Sequence, residues 1–239
     1  MEPYAGRSGP AALATVALLV PDARPQMSLR DRIAGFLGEL WSLRPLPPRV
    51  ARFYLRARRV ARRSGDRFSL DSATRPGELA ELLRLARGHR LVVEIGTGTG
   101  WTAIALAIAD PGRRVWSYDP VVRPETDRYL ALTGSNVRER IDLRAVAGES
   151  AEWSGPLVDM VFIDSSHERD ETIATFGAWR RRLAPGGIAA FHDYGEPDFP
   201  GVADAIEELG LPGEQRGRCF VWRSPAGEAG GGRSDEQSR

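Results

Sequence analysis

The stretch that decides the fold is Leu91–Gly100, which reads LVVEIGTGTG. An apolar run ends in Glu94 and three alternating glycines, and a segment typical of a helix follows from Trp101 to Ala109. Because glycine lacks a Cβ atom, such a turn brings backbone N–H groups close to a ligand at the start of the helix. In an open α/β sheet, nucleotide-like ligands bind in the crevice beyond the carboxyl end of such a strand. The stretch therefore predicts a ligand-binding crevice.

Outward from this stretch, apolar runs of strand length alternate with segments of helical periodicity. Helical crossovers join parallel strands, so this alternation predicts a mostly parallel, doubly wound α/β sheet with helices on both faces. The predicted strands are Leu91–Ile95, Arg114–Tyr118, Ile141–Val146, Val158–Ile163, Gly187–His192 and Gly217–Arg223. The predicted helices are Ser28–Trp41, Val50–Arg63, Pro76–Arg87, Trp101–Ala109, Pro124–Leu132, Thr172–Leu183 and Val202–Glu208.

The two ends of the chain differ from this alternating region. Residues 1–27 are rich in Ala, Gly and Pro, and residues 224–239 are rich in Gly and charge, so both are predicted to be disordered. Residues 28–69 are predicted to form an N-terminal helical extension. We expect residues 70–223 to form one domain, since 239 residues suffice for one well-packed core with additions at its ends.

Composition argues against several classes of partner and location. The 33 basic residues, all arginines, nearly balance 32 acidic ones, which gives no bulk electrostatic reason to expect nucleic acid or a membrane. Cys219 is the single cysteine, which excludes an internal disulfide and fits a reducing compartment. The apolar run from Ala11 to Val20 is far shorter than the roughly 20 residues that span a bilayer, and it lacks a convincing signal-peptide cleavage site. We therefore expect a cytoplasmic protein.

The spacing of the glycines narrows the classes of ligand that the crevice could bind. It is G-x-G-x-G and not the G-x-G-x-x-G of dinucleotide-binding folds, and no Gly-Lys-Ser/Thr of a phosphate-binding loop follows. Asp119 closes the next predicted strand, where a carboxylate can accept two hydrogen bonds from a ribose diol. The simpler alternative is a tight strand–helix connection followed by an ordinary Asp-Pro turn.

Five segments occur in a characteristic order: EIGTGTG at residues 94–100, Asp119, GES at residues 148–150, FIDSSH at residues 162–167, and PGG through HD at residues 185–193. Together they resemble the class I S-adenosylmethionine (SAM)-dependent methyltransferases, and most of all the small-molecule O-methyltransferases of the catechol and macrolide-sugar types. The resemblance spans roughly Leu70 to Arg223. It implies a Rossmann-like sheet of seven strands and the transfer of a methyl group from SAM.

The resemblance also implies a role for each matching residue. The glycines would pass the methionine part of SAM, with Glu94 supporting the loop and the amino group. Asp119 would hold the ribose hydroxyls, and Glu149 with Ser150 would lie near the adenine. A cationic sulfonium without a phosphate suits a pocket of carboxylates. The implied cofactor-binding residues are Glu94, Gly96, Thr97, Gly98, Gly100, Asp119, Pro120, Glu149, Ser150 and Asp164, and Tyr118 would pack beside the ribose and base.

Polar residues suited to methyl transfer follow the fourth and fifth predicted strands. Transfer to a hydroxyl requires in-line positioning, removal of a proton and stabilisation of the developing oxyanion. One device is a Mg²⁺ site with Asp164 and Asp193 as oxygen ligands, as the similar catechol and sugar types imply. This sequence departs from both types, with Tyr194 in place of an amide ligand, His192 in place of a second acid, and no lysine base. Metal dependence therefore stays open.

A histidine base is the second device. An imidazole with an ordinary pKa of about 6.5 can accept a proton near neutral pH. His167 and His192 lie close to Asp164 in the expected crevice, and these three are the candidate catalytic residues. The alternative is that His167 caps the following helix and His192 orients a loop.

The segment from Tyr194 to Gly201 is expected at the rim of the pocket, where loops beyond the strand ends determine acceptor specificity. Tyr194 and Phe199 could lie over an acceptor ring. Simple packing is the favoured interpretation, since aromatic residues commonly fill cores.

An Arg-rich segment is the main argument for a different substrate, because such a helix could grip the phosphates of RNA. We expect these arginines to go around the helix without forming one stripe, which favours a solvated helix or a subunit contact. They are Arg49, Arg52, Arg56, Arg58, Arg59, Arg62 and Arg63.

The sequence thus predicts a SAM-dependent methyltransferase that modifies a hydroxyl of a small aromatic or sugar molecule of secondary metabolism. The alternatives are an N- or RNA-directed methyltransferase of the same fold and a non-catalytic SAM-binding module. A homodimer is expected from amphipathic N-terminal helices in excess of the core, because their apolar faces need a surface to cover them.

Overall fold

Seven strands form one sheet in the order β3-β2-β1-β4-β5-β7-β6, within the part of the chain, residues 37–226, that the computed structural model describes. Strands β1 to β5 pair in parallel, whereas β7 runs antiparallel to both β5 and β6. This arrangement confirms the mostly parallel, Rossmann-like sheet. The strands are β1 Leu91–Ile95, β2 Arg114–Tyr118, β3 Ile141–Arg144, β4 Val158–Ile163, β5 Leu183–Phe191, β6 Gly213–Arg216 and β7 Cys219–Arg223.

Helices cover both faces of this sheet because its central strands are apolar on both sides. In β1, Val92 packs into one buried cluster, whereas Val93 and Ile95 pack into the other. This division follows the alternation of side chains along a strand. Residues 37–42 are helical as well. The helices whose two ends are described are α1 Pro48–Ser64, α2 Arg67–Ser72, α3 Pro76–Leu85, α4 Trp101–Ala109, α5 Glu125–Leu130, α6 Ser135–Arg138, α7 Arg169–Arg180 and α8 Pro200–Glu208.

The direction in which successive strands are added to the sheet reverses between β1 and β4, and this reversal positions the site. From β1 the chain builds outward to β2 and β3, and it then returns to place β4 on the other side of β1. A hydrogen bond joins the carboxyl ends of β1 and β4: the backbone N–H of Asp164 donates to the carbonyl of Ile95 at 2.8 Å. A crevice at such a switch point is the general ligand site of open α/β sheets.

Three predicted strands, β1, β2 and β4, are confirmed at their predicted bounds, but others are not. The predicted β3 ends at Arg144 instead of Val146. The helix predicted over Thr172–Leu183 begins and ends three residues earlier, which leaves Leu183 to begin β5, where it is buried. Strand β6 was not expected, because all four of its residues are exposed and no apolar alternation marks them.

The helical bounds shift by a few residues in most cases, and α2 was not expected. Its start is marked by Asp66, whose side chain accepts a hydrogen bond from the backbone N–H of Ser69 at 3.0 Å. Helix α1 begins two residues before the predicted Val50. Helix α3 ends at Leu85 instead of Arg87. The predicted helix Pro124–Leu132 is confined to α5, and α8 begins at Pro200 instead of Val202.

The arginines of α1 were expected to surround the helix, but most of them lie along one face. Five of them recur every three or four residues, so they share one face and are all exposed. The opposite face is apolar and belongs to the same buried cluster as Val92 of β1. The exposed stripe consists of Arg49, Arg52, Arg56, Arg59 and Arg63.

The chain divides into two compact units, residues 1–39 and residues 40–239. The predicted N-terminal disordered segment, the apolar run Ala11–Val20, residues 28–36 of the first predicted helix and residues 227–239 of the predicted tail lie outside the described residues. Within residues 37–226, no helix is long and apolar enough to cross a membrane. The proposed domain boundaries stay a prediction.

Candidate active site

The glycine loop, residues 96–100, takes a shape that only glycine tolerates at its first position. Gly96 has a φ of 100°, and a Cβ atom there would lie 1.8 Å from the carbonyl oxygen of Asp164. Gly100, with a φ of 80°, precedes the first turn of α4. The loop therefore brings the ends of β1 and β4 into contact and lines the crevice with backbone.

Asp119 fixes the glycine loop from the end of β2. Its Oδ2 atom accepts hydrogen bonds from the backbone N–H groups of Thr97 and Gly98 at 3.0 and 3.1 Å. Its Oδ1 atom accepts from the N–H of Val121 at 2.9 Å. A carboxylate oxygen has more than one lone pair, so these bonds leave acceptor capacity toward the crevice.

Glu94 lies fully buried behind the loop. Its Oε2 accepts a hydrogen bond from the hydroxyl of Ser117, whereas its Oε1 has no hydrogen-bond partner within the described residues. Burial, together with the charges of Asp164 and Asp119, raises the pKa of Glu94 to about 8 against the lowering effect of the Ser117 bond. An orphaned buried carboxylate oxygen fits the predicted role of supporting a cationic amino group.

A cleft of about 780 Å³ joins most of the predicted site residues. Four predicted residues do not line it: Glu94 is buried behind the loop, Gly100 starts α4, Ser150 lies outside, and Tyr194 packs against Phe220 at 5.0 Å between ring centroids. The predicted residues that do line it are Gly96, Thr97, Gly98, Tyr118, Asp119, Pro120, Glu149, Asp164, His167, His192 and Asp193.

Four of these residues form an Asp–His cluster: Asp164, His167, His192 and Asp193. Nε2 of His167 lies 3.3 Å from Oδ1 of Asp164 and 3.2 Å from Oδ2 of Asp193. Nδ1 of His192 lies 3.1 and 3.3 Å from the same two oxygens. The two imidazoles therefore share the same two carboxylate oxygens.

The cluster shifts the pKa values of its members far from their ordinary range. Burial lowers the pKa of His167, but Asp164 and Asp193 outweigh burial and raise it to about 9. Burial raises the pKa of Asp164, but the charge of His192 and the contact with His167 bring it down to about 2. The ordinary pKa assumed for His167 from the sequence is therefore wrong. With its pKa raised by the two carboxylates, the imidazole holds a proton at neutral pH.

The helix-cap interpretation of His167 is also wrong. Helix α7 begins after Glu168, and no side chain within the described residues caps it. His167 instead has a φ of 64°, and its ring lines the cleft, where it stacks on Phe199 at 4.4 Å. Phe199 lines the cleft, whereas Tyr194 packs away from it, so the two rim aromatics have separate places.

Two residues of the site were missed from sequence. Arg218, in the turn between β6 and β7, places Nη2 at 2.7 Å from Oδ1 of Asp193. Glu78, in the first turn of α3, places Oε2 at 3.6 Å from Nε2 of His192. The sequence marks Glu78 only as an acidic residue near a helix start, where its carboxylate accepts a hydrogen bond from the N–H of Arg75. Nothing in the sequence near Arg218 marks it.

The predicted Mg²⁺ does not fit this cluster. Mg²⁺ prefers six oxygen ligands and retains several waters. Here two of the four convergent donors are imidazole nitrogens, and all four come from partly or fully buried residues. The donor set therefore departs from the one that Mg²⁺ prefers.

Comparison with known proteins agrees with this geometry. A family model described as a methyltransferase domain matches residues 93–194, which include the glycine loop and the whole Asp–His cluster. A methyltransferase from Geobacter sulfurreducens has the same fold, with 17% identity over 81% of this chain and 96% of that chain and a TM-score of 0.56. No curated protein is detectably similar in sequence.

Two further solved structures are similar to this chain at lower scores. The O-methyltransferase TomG from Streptomyces achromogenes, involved in tomaymycin synthesis and solved with SAM, is 20% identical over 65% of this chain and 82% of that chain, with a TM-score of 0.49. CalS11, a TDP-rhamnose 3'-O-methyltransferase of calicheamicin biosynthesis, is 18% identical over 61% of this chain and 76% of that chain, with a TM-score of 0.48.

Proposed function

We propose that this chain, a class I SAM-dependent methyltransferase, transfers the methyl group of SAM to a hydroxyl of a small molecule. The acceptor is an aromatic or sugar compound of secondary metabolism. One observation carries the proposal: the Asp–His cluster and the glycine loop line the same cleft. Its volume of about 780 Å³ lies within the roughly 300–1,000 Å³ of small-molecule sites.

At the loop side, the chain's own groups suit a cationic nucleoside. SAM, when bound, supplies a methyl group on a positively charged sulfur. Backbone groups of Gly96 to Gly98 would approach its methionine part, and Asp119 would accept from the ribose hydroxyls. Glu149 with Ser150 would lie toward the adenine. The carboxylates that line this side favour a cation over a phosphate.

At the cluster side, we assign catalytic roles to Asp164, His167 and His192. These side chains surround the place where an acceptor hydroxyl would lie. As the bond from the methyl group to the SAM sulfur breaks and the bond to the acceptor oxygen forms, the Asp164 carboxylate would accept the hydroxyl proton, and the positive charges of His167 and His192 would balance the negative charge on that oxygen. Phe199, exposed by 37% beside His167, would pack against the acceptor.

The test is transfer of labelled methyl from SAM by the purified full chain to a panel of phenols, glycosides, amines, tRNA and rRNA. We expect label in a phenol or sugar hydroxyl, and His167→Asn should lose most of it while still binding the demethylated product of SAM. Label confined to amines or RNA would refute the hydroxyl acceptor. A salt-sensitive gel shift with RNA would instead indicate that the exposed arginine stripe of α1 binds RNA phosphates.

A further inference from the structure

Helix α2 lies before residue 93, where the match to the methyltransferase family model begins, yet it lines the same cleft as the glycine loop. Phe68, Asp71 and Ser72 are its lining residues. A Cβ atom added at Gly98 would lie 4.0 Å from Cε1 of Phe68, which is ordinary van der Waals contact. Helix α2 therefore packs against the glycine loop on the cofactor side of the cleft.

A hydrogen-bonded chain of three side chains joins α2 to the loop. The hydroxyl oxygen of Ser69 lies 2.7 Å from Oδ2 of Asp66 and 2.9 Å from the hydroxyl oxygen of Thr99. Ser69 and Thr99 are both buried. Because buried polar groups need a protein partner, neither hydroxyl can exchange its bond for one with bulk water without cost.

The charge of Asp66 gives this chain a direction. Burial raises the pKa of Asp66, but the hydrogen bonds from Tyr129 and Ser69 outweigh burial and hold it below its ordinary value. The carboxylate is therefore ionised at neutral pH and can only accept. The single hydroxyl hydrogen of Ser69 goes to Asp66, so the hydroxyl of Thr99 donates to Ser69 and is held in one orientation.

Asp66 is itself fixed from two sides. Its Oδ1 atom accepts from the backbone N–H of Ser69 at 3.0 Å, which caps α2, and its Oδ2 atom also accepts from the hydroxyl of Tyr129 in α5. Tyr129 is fully buried and packs edge-on against Trp101, the first residue of α4, with 5.1 Å between ring centroids. The chain therefore connects a buried anchor in α5 with the glycine loop.

We propose that Asp66 and Ser69 are positioning residues for SAM: through Thr99 they hold the glycine loop in the conformation that binds the cofactor. A loop rich in glycine has many accessible backbone conformations, and binding must select one of them. A buried bond from outside the loop reduces this freedom before SAM arrives, so less affinity is lost in ordering the loop. The inference rests on SAM as the cofactor and does not depend on the acceptor.

The test is calorimetric titration of the full chain with the demethylated product of SAM. Ser69→Ala and Thr99→Val each break the same bond and leave a partner unpaired, so each should weaken binding by about 10-fold. The double variant should also lose about 10-fold and not about 100-fold, because residues of one hydrogen-bonded chain are not additive. Thr99→Ser keeps the hydroxyl and should stay within about threefold of the wild type.

Thr133→Val is the matched control. It removes a hydroxyl that donates to the carbonyl of Leu130 at 2.7 Å, and Thr133 does not line the cleft. We expect the affinity of this variant for the demethylated product to equal that of the wild type. Circular dichroism verifies that each variant is folded under the conditions of the titration, so a loss of stability alone cannot produce the result.

Three results would overturn the inference: unchanged affinity in Ser69→Ala, an additive loss in the double variant, or an equal loss in Thr133→Val. If Ser69→Ala does not fold, Asp66→Asn replaces it. Asparagine still caps α2 but removes the Oδ2 acceptor, so the same loss of about 10-fold is expected. Calorimetry uses no acceptor, so a chain that methylates no hydroxyl refutes only the proposed function.

Discussion

The two sides of the cleft are built by opposite means. The glycine loop is a contiguous segment whose shape follows from missing side chains and whose backbone lines the cleft. The Asp–His cluster brings together charged side chains from the ends of β4 and β5, with Glu78 and Arg218 supplied by α3 and the β6–β7 turn. One side therefore depends on local backbone geometry, and the other depends on residues brought together from distant parts of the chain.

Electrostatics separates the two sides as well. On the loop side, Glu94 is buried without a compensating cation among the described residues, and its pKa rises to about 8. In the Asp–His cluster, opposite charges adjoin, and the pKa of Asp164 falls to about 2. Substitutions on the loop side should therefore change folding and cofactor affinity, whereas substitutions in the cluster should change the rate of transfer.

Gly96→Ala should have the largest effect. The added Cβ would lie 1.8 Å from a backbone oxygen at a φ of 100°, so we expect a loss of at least about 3 kcal/mol in unfolding free energy. Denaturant unfolding measures it. Gly77→Ala is the matched control, because nothing lies within 4 Å of its Cβ and its φ is not positive. Equal stability of the two variants would refute the close approach of β1 and β4.

His167→Asn should come next, with a fall in kcat of roughly 100-fold. The reason is that His167 contacts Asp164, Asp193 and Phe199 at the reacting end of the cleft. Affinity for the demethylated product of SAM, measured by calorimetry, should stay within about twofold, a difference below about 0.5 kcal/mol. A parallel loss of that affinity would mean that the two sides are not separable.

This contrast also explains how far the sequence could predict the molecule. The strands β1, β2 and β4 are largely apolar runs with buried residues on both faces, and their bounds were confirmed. Strand β6 has no buried residue, so only its pairing with β7 makes it a strand. Local pattern predicted the first kind and could not predict the second.

The site divides in the same way. The glycine loop and Asp119 were predicted from residues near one another in sequence. Glu78 and Arg218 were not, because only the folded sheet brings them beside His192 and Asp193. The rise in the pKa of His167 was missed in part for the same reason: besides the nearby Asp164, it depends on Asp193, which follows another strand.

Asp119→Asn should weaken binding of the demethylated cofactor by about 10-fold, since one charge-assisted acceptor is lost from the glycine loop. Calorimetry measures the change. Asp159→Asn is the matched control: its Oδ2 also accepts two backbone N–H groups, those of Arg90 and Leu91 at 2.7 and 2.8 Å, but at the opposite end of β1. Both should lose stability, and only Asp119→Asn should lose affinity.

Glu94→Gln should have the smallest effect and should appear in the pH dependence of stability. The folded chain holds the Glu94 proton up to a pKa of about 8, whereas the ordinary pKa of the side chain is 4.5. Between these values the unfolded chain binds fewer protons, so stability is full below the lower pKa and falls as pH rises toward the upper one. From about pH 6 to about pH 7, the wild type should lose about 1 kcal/mol more than Glu94→Gln.

Denaturant unfolding of both proteins at the two pH values measures this difference, and contributions from other titrating groups cancel in it. The side-chain amide introduced by Glu94→Gln would preserve an oxygen that accepts from the Ser117 hydroxyl, so the variant should remain folded. Identical pH slopes would place an unrecognised cation beside Glu94. The loop side would then be compensated in the same way as the Asp–His cluster, and the electrostatic half of the comparison would fail.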